Sequence, residues 1–314
     1  MHKTFRTLTT ILALLSPAAW AQQPPAAVGS MVPENATVKA SEHVYVIPDP
    51  ETGGVPNVGI ITGSRAALVI DTGLGPRNGE TVLRETRKVT KAQELYLATT
   101  HIHPEHDLGA SAFPMAKMLR SRDQEKDIAD AGLGMANRFA KGSPLRAELL
   151  NGVTFRKADI SFDHEYQLDL GGVRVRMFSV GPTHTFGDTA FYVEPDRVLF
   201  TGDVVMAALP ALNPGEAPRT SSVRAWLAAL DRFDALTPKL IVPSHGRMGD
   251  ASLIAVYRDY FRTLQARGAE LKRQGRSMTE AVAILEKEIQ AKFPNMQGAA
   301  RISEAARVAY EEAP

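Results

Sequence analysis

The chain has 314 residues, 44% hydrophobic and 23% charged, with a formal net charge of +1. That is room for one large domain or two modest ones, and it gives nucleic-acid binding no electrostatic support. There is no cysteine, which excludes disulfides, a lipid-anchored thiol and thiolate metal ligands, so any metal site must be built from His, Asp and Glu.

The amino terminus has the pattern of an export signal. Lys3 and Arg6 precede a short apolar run from Leu8 to Leu15, and Ala19-Trp20-Ala21 offers an A-x-A cleavage site before Gln22. The run is too short to span a bilayer, and no later segment reaches spanning length. Loss of residues 1–21 removes Lys3 and Arg6, leaving 34 basic against 35 acidic residues, a net charge of −1. The expected location is the periplasm or the exterior. Gln22 to about Ala40 is rich in Pro and Ala and reads as a loose leader.

From His43 the pattern turns to strands. Val44–Ile47 is followed by Val58–Ile61 and Ala67–Ile70, which flank the turn Thr62-Gly63-Ser64-Arg65. The last of these runs into Asp71. A helix is expected from about Asn78 to Val89, then the strand Leu95–Ala98. Strand, helix, strand with polar residues at the strand end is an α/β arrangement. Residues 108–160 read as an insertion over the site, helical between about Ser121 and Ala140, with a turn at Asn151-Gly152. Gly171-Gly172 closes a hairpin between Tyr166–Leu170 and Val173–Phe178. Strands Ala190–Val193 and Arg197–Phe200 come next, then a helix from Ser222 to Leu236 and the strand Leu240–Val242. The tail is helical: about Ala251 to Lys272, a helix opened by a Ser277/Glu280 capping box, and a last helix from about Ser303 to Tyr310.

One stretch concentrates metal-ligand chemistry. Thr99-Thr100-His101-Ile102-His103-Pro104-Glu105-His106-Asp107 holds three of the chain's eight histidines and two carboxylates. Imidazole and carboxylate are the ligands Zn²⁺ takes without thiolate. Pro104 excludes a helical His-Glu-x-x-His motif, so the stretch is expected to wrap a metal from a loop. Other polar residues recur after apolar strands: Asp71, His184, Asp203 and His245. Strand ends that converge on one edge would unite them. Asp188 is expected to be a solvated turn residue, and His43 and His164 structural or surface groups. Arg122, Arg138 and Arg146 are read as surface arginines, though each could meet an anionic substrate.

These motifs resemble the metallo-β-lactamase-fold hydrolase superfamily from about His43 to His245. The first-motif aspartate matches Asp71. The H-x-H-x-D-H motif matches His101 to His106, the third-motif histidine His184, the bridging aspartate Asp203 and the last histidine His245. The resemblance implies a four-layer αββα sandwich over residues 41–250, with residues 251–314 as a helical extension packed on it. It implies a two-zinc site: His101, His103 and His184 on one ion, Glu105, His106 and His245 on the other, Asp203 bridging, and Asp71 behind the ligands as a hydrogen-bonding support. A metal-held hydroxide would be the nucleophile, with Asp203 and Glu105 the carboxylates next to the chemistry.

The sequence departs from the family at one place. Glu105 stands where Asp is usual, one methylene longer. A single zinc, or iron, is the other outcome this leaves open. Asp203 points to the broad hydrolase branch of glyoxalase-II-like thioesterases and exported quinoprotein-associated enzymes, because zinc β-lactamases carry Cys or Ser-type residues there. The implied function is an exported zinc hydrolase acting on an ester, thioester, amide or related bond of a small molecule. The alternatives are β-lactam hydrolysis, an iron-dependent persulfide-dioxygenase-like oxidoreductase, and a degenerate metal binder. Di-iron reductases of this fold replace the second motif histidine with Glu, whereas His103 is intact. Nothing in the sequence sets an oligomeric state.

Overall fold

The computed structural model describes residues 29–206, 208, 210, 212 and 221–314. The expected export signal lies outside the described residues, as does the leader up to residue 28.

Two sheets stack face to face. The first has the order β1 (Val38–Lys39), β2 (Val44–Ile47), β3 (Val58–Thr62), β4 (Ala66–Ile70), β5 (Glu94–Ala98), β6 (Lys117–Ser121) and β7 (Ile160–Phe162). The second runs β12 (Leu240–Pro243), β11 (Val198–Gly202), β10 (Thr189–Val193), β9 (Arg174–Ser179) and β8 (Glu165–Asp169). The early strands pair antiparallel, and β4, β5, β6 and β7 run parallel. In the second sheet only β11 and β12 are parallel. Helix α1 (Pro76–Val89) makes the crossover from β4 to β5, with Pro at its start, where a missing N–H costs nothing. Four short helices lie between β5 and β7: α2 (Pro104–Asp107), α3 (Arg122–Asp127), α4 (Leu133–Ala140) and α5 (Pro144–Leu149).

The continuous apolar runs of β3, β4, β10 and β11 follow from burial on both faces of those central strands. In β4, Ala66, Leu68 and Ile70 point into the layer between the sheets, while Ala67 and Val69 pack towards α1 and Val82. In β10, Phe191 and Val193 join the inter-sheet core, and Ala190 and Tyr192 face the helices behind the second sheet. Those helices are α6 (Val223–Ala235) and the three carboxyl-terminal ones, α7 (Ser252–Arg273), α8 (Met278–Lys292) and α9 (Ile302–Glu312). The expected αββα sandwich with carboxyl-terminal helices is the observed architecture. Trp226 of α6 stacks on Phe261 of α7, with ring centroids 4.8 Å apart, and its indole N–H donates to Val204 O at 2.8 Å. The Ser277/Glu280 capping box is formed at the start of α8. Among the described residues, no helix is long and apolar enough to cross a membrane.

The structure corrects three expectations. The loose leader gives way at Ser30. Asn78 Oδ1 accepts the N–H of Met31 at 2.6 Å and of Val32 at 3.2 Å, and Val32 is buried. Residues 108–160 are also more than an insertion, since β6 and β7 extend the first sheet. β6 carries Lys117 and Arg120, and β7 is only three residues long, so neither has a strand's usual apolar signal. The single helix expected over 121–140 is divided into α3 and α4 by a π-helical turn at Ile128–Gly132. Glycine inside a helix weakens it, and Gly132 sits in that turn.

Because Phe261 lies fully buried among α6, α7 and the second sheet, Phe261→Ala is expected to destabilise the fold by about 3–5 kcal/mol. Guanidinium unfolding followed by circular dichroism measures it. A loss below about 1 kcal/mol would contradict this packing.

Candidate metal centre

The site is assembled at the carboxyl ends of strands from both sheets. β4 delivers Asp71, β5 delivers Thr99 to His101, β11 delivers Asp203 and β12 delivers Ser244 and His245. His184 arrives on the loop between β9 and β10. Gly202, in the left-handed region at φ 59°, lets β11 turn beside Thr100 and present Asp203.

The histidine stretch contains one turn of helix, α2, where a loop was expected. His103 is its extended N-cap and Pro104 holds the first position. Proline is excluded from the helix interior, not from its start. The turn closes through His106 N–H to His103 O at 3.0 Å, so His106 swings back towards His101.

Asp71 holds this turn from behind. It occupies the left-handed region at φ 64°, unusual for a residue with a Cβ. Its Oδ1 accepts Thr100 N–H at 2.7 Å, and its Oδ2 accepts Thr100 Oγ1 at 3.0 Å. The same Oδ2 lies 2.9 Å from His106 Nδ1. A carboxylate there requires the proton on Nδ1, which leaves the Nε2 lone pair facing the centre.

Further supports carry no sequence motif. Asp107 and Arg120 form a buried bidentate pair, Nη2 to Oδ1 at 2.9 Å, and Arg120 Nη1 also donates to Thr99 Oγ1 at 3.1 Å. Gln124 Nε2 donates to Thr99 O at 2.6 Å and Thr100 O at 3.1 Å. Asp49 Oδ2 lies 3.3 Å from His245 Nδ1 and accepts Gly246 N–H at 3.1 Å. These partners sit on separate elements, so spacing in the sequence gives no signal for them. Asp188 is not a solvated turn residue. It is 2% exposed and accepts Thr185 N–H at 2.9 Å and Thr185 Oγ1 at 2.6 Å, with Thr183 Oγ1 as a further donor, which fixes the His184 loop. His43 pairs with Asp196 at 2.8 Å and His164 is exposed, away from the site as expected. Arg122 pairs with Asp163 at the surface, and Arg138 lies against the Met135 sulfur.

The expected ligand residues converge. Ligand atoms of His101, His103, His184 and Asp203 lie within 4.8 Å of one another, as do those of Glu105, His106 and His245. Asp203 stands between the groups. Its Oδ2 is 3.5 Å from His184 Nε2, and its Oδ1 is 3.9 Å from both His106 Nε2 and His245 Nε2. The longer arm of Glu105 still reaches inward, with Oε1 3.9 Å from His106 Nε2.

Four of the inward atoms are buried without a hydrogen-bond partner: His101 Nε2, Glu105 Oε2, His106 Nε2 and Asp203 Oδ1. A buried orphan of this kind costs about 1–3 kcal/mol. Divalent cations satisfy such nitrogen and carboxylate atoms together, and the donor set suits zinc. The residues therefore fit the metals that this arrangement implies. Burial lowers His101 and His103, keeping their rings neutral as ligands must be. Burial works against charge on Asp203 too, but His245, His184 and their neighbours overcome it and hold the carboxyl at about 2. Burial opposes a charged His106, yet Asp71, with Glu105 and Asp203 behind it, lifts the ring to about 9. A cation at Nε2 would take the place of that proton.

Replacing Asp71 by Asn would set an amide opposite His106 Nδ1 and lose the fixed tautomer. Asp71→Asn is expected to weaken metal binding by about 10–100-fold. Competition against a chromogenic chelator measures it, and an unchanged affinity would contradict the role given to Asp71.

Known proteins share this fold. The sequence profile of the Metallo-beta-lactamase superfamily matches residues 52–245. A linear primary-alkylsulfatase from a Pseudomonas species is 22% identical over 227 residues, which cover 60% of this chain and 41% of that protein. The structure of the stereoselective inverting sec-alkylsulfatase Pisa1, also from Pseudomonas, superposes with a TM-score of 0.68 at 16% identity, covering 88% of this chain and 50% of that one. A metallo-beta-lactamase from Pontibacter korlensis superposes with a TM-score of 0.52 at 22% identity, covering 72% of this chain and 98% of that one. The chain spans half or less of the length of the alkylsulfatases it matches, and at these identities the structures speak for the fold alone. With the profile covering more than half of its residues, the chain belongs to the metallo-β-lactamase superfamily.

Proposed function

We propose that this protein is a metal-dependent hydrolase cleaving ester-type bonds of small molecules, sulfate esters first among them. The observation that carries the reading is the convergence of seven ligand side chains, four of which hold a buried inward atom with no hydrogen-bond partner. A non-catalytic structural zinc needs only four ligands and a closed shell, whereas this cluster opens into a cavity of about 680 Å³. Kinship with alkylsulfatases supports the sulfate-ester preference.

His101, His103, His184 and Asp203 would hold one cation, and Glu105, His106 and His245, with Asp203 beside them, a second. When bound, a pair of zinc ions supplies Lewis acidity that brings the pKa of a shared water towards neutrality and offsets charge on the leaving group. The chain's own residues do the rest. Asp203, ionised throughout the neutral range, offers carboxylate oxygens that orient the attacking water. His184 is fixed through Asp188, and His245 through Asp49, so the ligand geometry is set before substrate arrives. Phe139, its ring centroid 5.7 Å from that of His103, and Met206 give the cavity apolar surface that limits bulk water. We also propose that residues 1–21 direct export, so that the enzyme works in the periplasm or outside the cell.

Zinc-loaded protein is expected to release sulfate from a primary alkyl sulfate, and to lose turnover on chelation and regain it with zinc. The test panel pairs the alkyl sulfate with a thioester, a phosphodiester and a cephalosporin. His103→Ala and Asp203→Asn should each cut kcat at least about 100-fold, the scale of removing a principal electrostatic catalyst. Turnover that survives both substitutions, or bound iron with oxygen consumption, would overturn the reading. A cephalosporin as the sole substrate would replace sulfate esters by β-lactams.

A further inference from the structure

The cavity over the ligand cluster has two kinds of wall. Phe139, Met206 and Ala208 give it an apolar side. Arg247, Gln297 and Arg301 give it a cationic and amide rim. The rim comes from two places. Arg247 lies two residues after His245, in the turn beyond β12. Gln297 and Arg301 belong to the carboxyl-terminal extension, outside the matched superfamily profile.

The extension is held to the site by backbone. Gln297 makes an isolated parallel bridge with Ala208, five residues beyond Asp203, and Tyr257 Oη of α7 donates to Ala208 O at 2.5 Å. Ile302, directly after Arg301, is buried in the core formed by α6 to α9. The packing of the extension thus decides where Arg301 stands. Four carboxylates line the same cavity, Asp49, Glu51, Glu105 and Asp203, and the last two belong to the ligand cluster. Asp49 is taken up by the His245 ring and by the N–H groups of Gly246 and Glu51. Glu51 is exposed at the rim and is an opposing charge there.

We propose that Arg247 and Arg301 form an anion-recognition subsite, so that the substrates are small amphiphiles carrying an oxyanion, with the apolar part seated against Phe139 and Met206. Guanidinium offers a planar fork that pairs two-pronged with carboxylate, sulfonate or sulfate. The carboxyl-terminal extension is then part of the substrate site and sets specificity, beyond its share in the core. Binding at this subsite is independent of the hydrolase reading; only the chemistry after binding rests on it.

Calorimetric titration of the zinc-loaded full chain with octylsulfonate, which is not hydrolysed, and with octanol, its uncharged counterpart, tests the proposal. Octylsulfonate is expected to bind at least about tenfold more tightly than octanol, and Arg247→Gln and Arg301→Gln each to remove about tenfold of that affinity. Glu51→Gln should tighten octylsulfonate binding. Arg122→Gln, at the surface pair with Asp163, should leave it unchanged. Arg247 is exposed, so its variant reports even if Arg301→Gln unfolds, which a thermal melt reveals. Equal affinity for octylsulfonate in wild type and Arg247→Gln, or equal binding of the two probes by wild type, would overturn the subsite and leave hydrolysis standing. Arginine-dependent octylsulfonate binding without turnover of any ester would support the subsite and overturn the hydrolase reading.

Discussion

The buried carboxylate of Asp71 is the contact on which the centre depends. It fixes the Thr100 backbone and the His106 ring together, and it does so from a backbone conformation that residues with a Cβ seldom adopt. Without it, neither the exit direction of β5 nor the face of His106 that looks inward is determined. A carboxylate at zero exposure is itself costly, and its neighbours offset that cost only because each of its oxygens has a donor. The same logic recurs outward. Asp107 with Arg120, Asp188 with the two threonines, and Asp49 with His245 each buttress one segment of the site. Four inward atoms are the exception, and the contrast between a satisfied periphery and these unpartnered atoms supports the reading of the centre as a cation site.

The fold supplies what such a network requires. The central strands that carry the site are covered on both faces, so their ends are rigid platforms rather than flexible tips. Loops carry the ligands, but they are short or are pinned by buried hydrogen bonds, and a centre of this kind tolerates displacements of only a few tenths of an ångström. The carboxyl-terminal helices stabilise the second sheet from behind and also bring Gln297 and Arg301 to the cavity.

Much of this is legible in the residues. Histidines and carboxylates placed after apolar runs mark the strand ends, and the alternation across Gly171-Gly172 marks a hairpin, because both signals are local. What stays hidden is non-local or short. β6 and β7 look like loop because two or three apolar residues each suffice when neighbouring strands provide the rest. Asp188 looks solvated in the sequence because the burial of a turn is a property of what covers it. Arg120, Gln124 and Asp49 serve partners far away in the chain or on another element. Pro104 reads as a helix breaker, although at the first position of a helix it starts the turn. The rim arginines Arg247 and Arg301 carry no motif at all.

The central claim is that two cations sit where the unpartnered atoms converge, in spite of the glutamate at position 105. Anomalous diffraction at the zinc edge from crystals of the zinc-loaded protein tests it most directly. The account predicts two peaks, one among His101, His103 and His184 and one among Glu105, His106 and His245, with Asp203 touching both. A single peak with Glu105 turned away, or zinc bound elsewhere on the chain, would contradict it.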